Sequence, residues 1–437
     1  MQATAIVLAA GLGTRMKSSL PKTLHRLAGR PMLRHLLASC EAVFDRIVVV
    51  LGPDMDLVRK EAEPHACVVQ HERLGTAHAA LQAAGHFGDG RVAVLYADNP
   101  LIRPATLRRL LDDHTQDGLS LLAFRPADPA RYGRVITSAN GIVERIVEYA
   151  DADAAERAVD LCNAGVLCGA PDAMRKWLQA VRNDNAKGEY YLTDLVALAR
   201  AEGRMVRAVE APADELAGVN SRDELARAEA VLQGWMRQAW MDAGVTMIDP
   251  NSVFLSADTQ LAPDVVIEPN VFFGPGVRVA GNVTIRAFSH IEGAHIGPNS
   301  IIGPFARLRP GAMLERDVHI GNFVEVKAAQ LAAGVKANHL TYIGDATVGA
   351  RTNIGAGTIT CNYDGASKHR TTIGADAFIG SDVSLVAPVS IGDGAYVATG
   401  SVITEDVEPD ALAIARERQI QKPGRAAAIR AARKEKR

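Results

Sequence analysis

The chain has 437 residues, 48% of them apolar and 22% charged, with 48 Lys and Arg against 50 Asp and Glu. That length exceeds one ordinary core, so two domains are expected, and the near-neutral balance gives no general attraction to nucleic acid or to an anionic membrane. Five cysteines (Cys40, Cys67, Cys162, Cys168 and Cys361) lack metal-site or disulfide spacing, which makes a reducing cytoplasm the expected compartment, and no stretch is long enough to span a bilayer.

Residues 6–10 read as a buried strand that runs straight into Gly11-Leu-Gly-Thr-Arg-Met16. No basic region precedes them, so they read as a first strand and not as a signal peptide. A helix over 31–39, a strand over 46–51, a helix over 57–62, a strand over 67–70, a helix over 76–84 and a strand over 91–96 follow. Such alternation predicts a mostly parallel sheet with ligands beyond the carboxyl ends of its strands. The glycine loop fits neither GxGxxG nor GxxxxGK[ST], which excludes a dinucleotide fingerprint and a P-loop. Its backbone amides suit phosphates, and Arg15 and Lys22 can neutralise them. Asp98 closes an apolar strand, where a carboxylate is costly unless paired or metal-bound; a divalent cation on phosphate oxygens is the natural partner.

Further along, 131–135, 146–148, 163–165, 188–194 and 218–220 put polar residues at the ends of apolar runs, each a weak candidate for a sugar or metal contact. Residues 221–243 read as a connecting helix, with Ser221 as N-cap and Glu224 completing a capping box.

The back half is written in sixes. Val265, Val271, Val277 and Val283 are followed by Ile296, Ile302, Leu308, Leu314, Ile320 and Val326, then by Ile373, Ile379, Leu385, Ile391, Val397 and Ile403. This period is neither helical nor that of a plain strand. It fits short strands joined by turns into three-sided coils, which bury a core only when stacked. The phase breaks near 289–295 and, over a longer stretch, through 327–342; the second interruption, which carries His339, is expected to loop out on one face. The basic tail from Arg416 onward reads as a frayed surface segment whose first residues suit an anionic cofactor.

Two groups of motifs carry a resemblance. LAAGLGTRMKSSLPKTLH is similar to the signature of the sugar-nucleotide pyrophosphorylases. IGPFARLRPG, GNFVEVK, HLTYIGDA and NIGAGTITCNYDG resemble a narrower family, the bacterial bifunctional glucosamine-1-phosphate acetyltransferase / N-acetylglucosamine-1-phosphate uridyltransferases. The resemblance covers essentially the whole chain. It implies a Rossmann-like uridyltransferase domain over 1–220, the connecting helix over 221–243, and a left-handed parallel β-helix acetyltransferase domain over 244–437. It also implies a cytoplasmic homotrimer, assembled through the β-helix, that uses Mg2+, acetyl-CoA and UTP. Glucosamine 1-phosphate would be acetylated, then joined to UTP to give UDP-N-acetylglucosamine and pyrophosphate.

Carried over residue by residue, Leu8, Ala10, Gly11, Lys22, Gln70, Gly75 and Thr76 match uridine nucleotide contacts. Gly133, Glu148, Asn163, Tyr191 and Thr193 match the sugar side, and Asp98 and Asn220 the Mg2+ ligands. Arg15 and Lys22 match the catalytic cations. In the second domain His339 matches the general base, a role its titration range suits, and Glu325 a supporting carboxylate. Arg309, Lys327, Tyr342 and Asn353 match sugar-phosphate contacts. Ala356, Asn362, Tyr363, Ser381, Thr399 and Arg416 match acetyl-CoA contacts, with direct transfer expected and no acyl-enzyme on Cys361. The chain departs from the family pattern at Ala97, Ala150, Ala164 and Thr399, and the methyl of Ala97 is expected where backbone approaches the ligand. The competing reading is a nucleotidyltransferase whose β-helix is a passive array. It leaves Arg309, Glu325, Lys327 and His339 without a role.

Overall fold

The computed structural model describes residues 2–113 and 118–434, so the last three residues of the basic tail, 435–437, lie outside the described residues. The chain divides into two compact units, Met1–Met236 and Arg237–Arg437. The helix Arg222–Asp242 runs through that division.

The first unit is built on one sheet. Its strands are β1 (Ala3–Leu8), β2 (Arg46–Leu51), β3 (Ala66–Val69), β4 (Arg91–Tyr96), β5 (Leu119–Phe124), β6 (Arg134–Thr137), β7 (Val143–Val147), β8 (Cys162–Gly169) and β9 (Val206–Glu210). The spatial order is β9-β5-β8-β4-β1-β2-β3, with β6 beside β8 and β7 beside β6. β1 pairs in parallel with β2 and β4, and β2 with β3, whereas β8 enters antiparallel between β4 and β5. The crossovers are α1 (Met32–Glu41), α2 (Asp56–Ala62) and α3 (Thr76–Gln82). Both faces of the sheet are covered, so its central strands are apolar throughout. Alternation on β1 sends Ala5 and Val7 into a cluster with Leu33, Leu36 and Leu37 of α1, and Ile6 into the opposite one with Ala77 and Ala80 of α3. Ala97 and Ala164 both belong to the α1-side core. The methyl of Ala97 is therefore packed into the interior and does not crowd a ligand.

The second unit is a parallel β-helix whose three faces are sheets of ten, eight and eight strands among the described residues. On the first face the stacked positions run Val266, Thr284, Ile301, His319, Lys336, Asn353, Phe378 and Tyr396. Two inward columns share the six-residue spacing. Ile285, Ile302, Ile320 and Ile379 point inward from the strands, while Val265, Val271, Val277, Val283, Ser300 and Ala306 occupy the buried position before each strand. The first four valines of the sequence pattern thus belong to the second column. The break near 289–295 is partly this change of column. Asp and Asn take many left-handed corners, among them Asp264, Asn270, Asn282, Asn299, Asp317 and Asp376, where a short polar side chain tolerates positive φ.

The expected interruption over 327–342 is corrected by the structure. Those residues keep the coil: Glu325–Lys327 pairs with Tyr342–Gly344, and His319–Asn322 with Lys336–His339. The pattern fails there because Ala337 fills the inward strand position that Ile302 and Ile320 take on the preceding coils, and because Val326 and Leu331 are five residues apart and not six. The true insertion is the loop over 362–370, between Ile359–Cys361 and Thr371–Ile373. It is internally braced. Tyr363 and Lys368 form an antiparallel bridge, and Asp364 accepts from Ala366 N, Ser367 N and His369 Nε2 at 2.8, 2.7 and 2.7 Å. The Ser367 N–H, then His369 and Ala366, hold the Asp364 carboxyl well below the usual carboxylate range.

Candidate functional site

At the carboxyl edge of β1, β2 and β4 the sheet ladder continues past the strands. Ala9 N donates to Val50 O at 2.8 Å, Gln70 N to Leu51 O at 2.8 Å and Ala97 N to Leu8 O at 3.0 Å. The residues beyond are thereby fixed around a cavity of about 320 Å³, lined by the expected Leu8, Ala10, Gly11, Lys22, Gln70, Gly75, Thr76 and Asp98. Gly13 has φ +61, and a Cβ there would lie 2.5 Å from Lys22 Cβ, so the loop closes over Lys22 only with glycine. Gly75 has φ +119 at the start of α3, where a Cβ would meet Tyr190 O at 2.5 Å.

Lys22 Nζ donates to the Asp98 carboxylate and to Asn220 Oδ1, the latter at 3.0 Å. The two expected metal ligands, far apart in sequence, thus converge on one point. Asn220 is held by the helix that follows it. Asn220 N and Ser221 N donate to Glu224 Oε2 at 2.6 and 2.9 Å, and Glu224 N donates to Ser221 Oγ at 3.2 Å, which is the reciprocal capping the spacing predicts. Arg15 opens onto a second cavity of about 620 Å³, shared with Arg131, Tyr132, Lys187 and Asn220. Lys22 is bonded to Asp98, which lines the first cavity with it, and to Asn220, which lines the second.

Gln70 is buried, and its Nε2 donates to Gly75 O at 3.0 Å and faces His78 Nδ1 at 3.1 Å. With both hydrogens engaged, the group it offers a ligand is the Oε1 acceptor. The sugar-side residues gather around Glu148. Thr193 Oγ1 donates to Glu148 Oε1 at 3.3 Å, and Asn163 N donates to Gly133 O at 2.9 Å on the neighbouring strand end. Burial pushes the Glu148 carboxyl up, against the opposing pull of Lys187. Tyr191, whose hydroxyl is buried without a partner, is pushed up to about 12, chiefly by burial. An orphaned hydroxyl beside a carboxylate is the kind of group a bound polyol satisfies. Sequence reasoning missed Arg73, which lines the first cavity and donates from Nε to Ala10 O at 2.8 Å. Its signal was its position inside QHERLGT, three residues after Gln70.

In the β-helix, Arg309 Nη1 donates to Glu325 Oε1 at 2.8 Å, and Lys327 Nζ to Asp345 Oδ2 at 3.3 Å. Asn362 Nδ2 donates to the Asp345 carboxylate and reaches Tyr342 Oη at 3.3 Å. One face therefore brings together Arg309, Glu325, Lys327, Tyr342 and Asn362, with Tyr363 beside them in the inserted loop. Asn353 lies on a different face, paired with Lys336 and Phe378, and the chain does not by itself bring it to this cluster. Glu325 is bound to Arg309. The partner of the His339 ring is Asn322, whose Oδ1 is 2.9 Å from His339 Nδ1.

His339 ends its strand at the corner leading to Tyr342. The same corner on later coils carries Ala356, Ser381 and Thr399. A backbone ladder joins the coils there: Leu340 N to Asn322 O at 3.0 Å, Gly357 N to His339 O at 3.4 Å, Asp382 N to Ala356 O at 2.7 Å and Gly400 N to Ser381 O at 2.8 Å. Arg416 continues the line beside Gly400, where a Cβ would lie 3.8 Å from its Cδ. The expected base and most of the expected acetyl-CoA contacts thus form one row down one edge.

Comparison with known proteins agrees with both halves. Residues 5–186 match the MobA-like NTP transferase domain, and 293–328 and 370–405 match the bacterial transferase hexapeptide (six repeats). The chain is 63% identical to the bifunctional protein GlmU of Acidiphilium cryptum, over 98% of this chain and 99% of that one. It is 62% identical to that of Gluconacetobacter diazotrophicus, over 98% and 94%, and 61% identical to that of Granulibacter bethesdensis, over 98% and 96%. Among the described residues no helix is long and apolar enough to cross a membrane. With its nucleotidyltransferase sheet, its hexapeptide coils and full-length identity of this order, the chain belongs to the bifunctional GlmU family, enzymes that acetylate glucosamine 1-phosphate and uridylylate N-acetylglucosamine 1-phosphate.

Proposed function

We propose that uridylyl transfer is carried by Arg15, Lys22, Asp98 and Asn220, and acetyl transfer by His339 with the face and corner around it. The observation that carries the first assignment is the convergence of Asp98 and Asn220 oxygens on a positive charge. Hard oxygen donors so gathered suit Mg2+, which keeps water and substrate phosphates as its remaining ligands. When bound, Mg2+ supplies neutralisation of the phosphate charge. The chain's own residues do the rest. Amides of Ala10 and Gly11 receive phosphate oxygens, Lys22 and Arg15 offset their charge from either side, and the Gln70 Oε1 acceptor meets the pyrimidine N–H of UTP. Glu148, Asn163, Thr193 and Tyr191 hold the sugar hydroxyls and Gly133 lets the ring approach. The sugar phosphate oxygen is already a nucleophile, so alignment and neutralisation suffice without a general base.

In the second reaction His339 takes the proton that the amine of glucosamine 1-phosphate must lose before attacking the thioester. Arg309 and Lys327 suit the dianionic phosphate, with Tyr342 and Asn353 completing the sugar site. The row His339, Ala356, Ser381, Thr399 advances one strand spacing per coil, a span of about 14 Å. That length and the cation at Arg416 suit an extended cofactor with anionic phosphates, with Asn362 and Tyr363 at its other side.

The working form in this reading is a cytoplasmic homotrimer joined through the β-helix. Phe288, Phe305 and Phe323 favour it: their rings stack at 4.9 and 5.2 Å while 53%, 44% and 54% exposed, and all three hold a left-handed backbone. Bulky residues seldom accept that conformation, and an exposed aromatic row is what a partner surface covers. Asn353, on its separate face, would then serve a neighbour's cluster.

The test supplies glucosamine 1-phosphate, acetyl-CoA, UTP and Mg2+ and follows free thiol and pyrophosphate separately. His339→Ala stops thiol release but still forms pyrophosphate from preacetylated sugar, and Lys22→Ala does the reverse. A wild-type chain that releases no thiol would return the β-helix to a passive role.

A further inference from the structure

We infer that Asn322 is the positioning residue for the acetyltransferase base: its Oδ1 accepts the Nδ1 proton of His339 and leaves Nε2 as the site that takes the substrate's proton. The inference rests on the reading of His339 as base and adds what selects its working tautomer. Asn322 and His339 are in-register partners on consecutive coils, with Oδ1 and Nδ1 2.9 Å apart. The backbone on both sides of the contact is fixed. Leu340 N donates to Asn322 O at 3.0 Å, and His339 O accepts from Thr341 Oγ1 at 2.7 Å and Gly357 N at 3.4 Å. The ring therefore has a held pivot and a held far side.

A neutral imidazole carries its proton on either nitrogen, and an acceptor at one nitrogen decides which. A side-chain amide does this without adding a charge. The carboxylate nearest in sequence, Glu325, is bound to Arg309 at 2.8 Å. Cationic groups stand on the same strands, His319 with Asn322 and Lys336 with His339, while the Asp382 carboxylate lies beside Gly357, whose N–H donates to His339 O. The amide orients the base without adding a charge of its own.

The experiment uses the full-length chain with Asn322→Leu, Asn322→Asp and His339→Ala. It reads thiol release against pH, KM for glucosamine 1-phosphate and for acetyl-CoA, urea unfolding of the β-helix as the control for folding, and pyrophosphate release as the control for active enzyme. Asn322→Leu is expected to lower kcat for acetyl transfer by about 100-fold with little change in either KM and uridylyl transfer intact. Asn322→Asp is expected to restore most of kcat and to move the acid limb upward by about one pH unit, because a carboxylate facing Nδ1–H stabilises the imidazolium. A wild-type rate and pH profile in Asn322→Leu, with His339→Ala inactive, overturns the inference and leaves the base in place. Thiol release by His339→Ala overturns the base itself, and the inference with it. Should Asn322→Leu fail to fold, an unmoved acid limb in the near-isosteric Asn322→Asp refutes the contact.

Discussion

Lys22 is bonded to oxygens from two distant segments, Asp98 after β4 and Asn220 before the long helix. In the proposed reading its removal takes away a phosphate cation, and it leaves the Asp98 carboxylate without that partner. Lys22→Ala is expected to lower uridylyl transfer by at least 100-fold and to leave acetyl transfer unchanged, read as pyrophosphate and thiol release from one preparation. Glu148 gives a pH prediction with a definite sign. Burial raises its carboxyl above the ordinary glutamate range, and in the proposed reading it accepts sugar hydroxyls most strongly when ionised. KM for N-acetylglucosamine 1-phosphate should therefore begin to rise, as pH falls, while still above that ordinary range, and Glu148→Gln should remove this dependence. Much at this scale was legible. Lys22, Asp98 and Gln70 sit at strand ends and in motifs, where the chain announces polar groups. Arg73 and Asn322 were not legible as partners, because Arg73 acts through the carbonyl of Ala10 and Asn322 through a neighbour one coil away. Such contacts exist only once sheet register is fixed.

At the scale of elements, the hexad pattern proves to be two buried columns with different size limits. Ile320 is fully buried in the strand column, while Met313 is 41% exposed on a neighbouring coil. Ile320→Ala should cost about 2–5 kcal/mol and Met313→Ala within about 0.5 kcal/mol, measured as urea unfolding of the β-helix. The parallel sheet and the stacked coils could be predicted because alternation and period report which side is buried. The insertion could not be located the same way. Residues 327–342 look irregular since Ala337 replaces a larger aliphatic and one spacing shortens to five, yet they keep the coil; residues 362–370 leave it, braced through Asp364. Asp364→Ala should loosen the loop that presents Asn362 and Tyr363, raising KM for acetyl-CoA several-fold without shifting the unfolding midpoint.

For the whole molecule, the two units have separate cores and separate chemistry, so damage to one should spare the other. The phenylalanine row tests this at the level of assembly. Phe305→Asp puts a charge in the middle of the stack and should lower the oligomeric mass seen by light scattering. Acetyl transfer, which in the proposed reading draws Asn353 from a neighbour, should fall with it, and uridylyl transfer should persist. Because the units are separate, an intact uridylyl reaction reports only the first unit, and folding of the coils is read from the unfolding of the β-helix itself.

The ammonium of Lys22 already sits between the oxygens assigned to a divalent ion. The resting site is thus self-neutralised, like a lock kept closed by its own key blank. A divalent ion held by Asp98 and Asn220 would compete with this tethered ammonium, and nucleotide phosphates would offer the ammonium another partner. Mn2+ alone should therefore bind wild type weakly, and Lys22→Ala several-fold more tightly, as read by electron paramagnetic resonance without turnover. Equal affinities would mean that the lysine is a bystander there. On this view the residue that neutralises the substrate also sets the order in which metal and nucleotide enter.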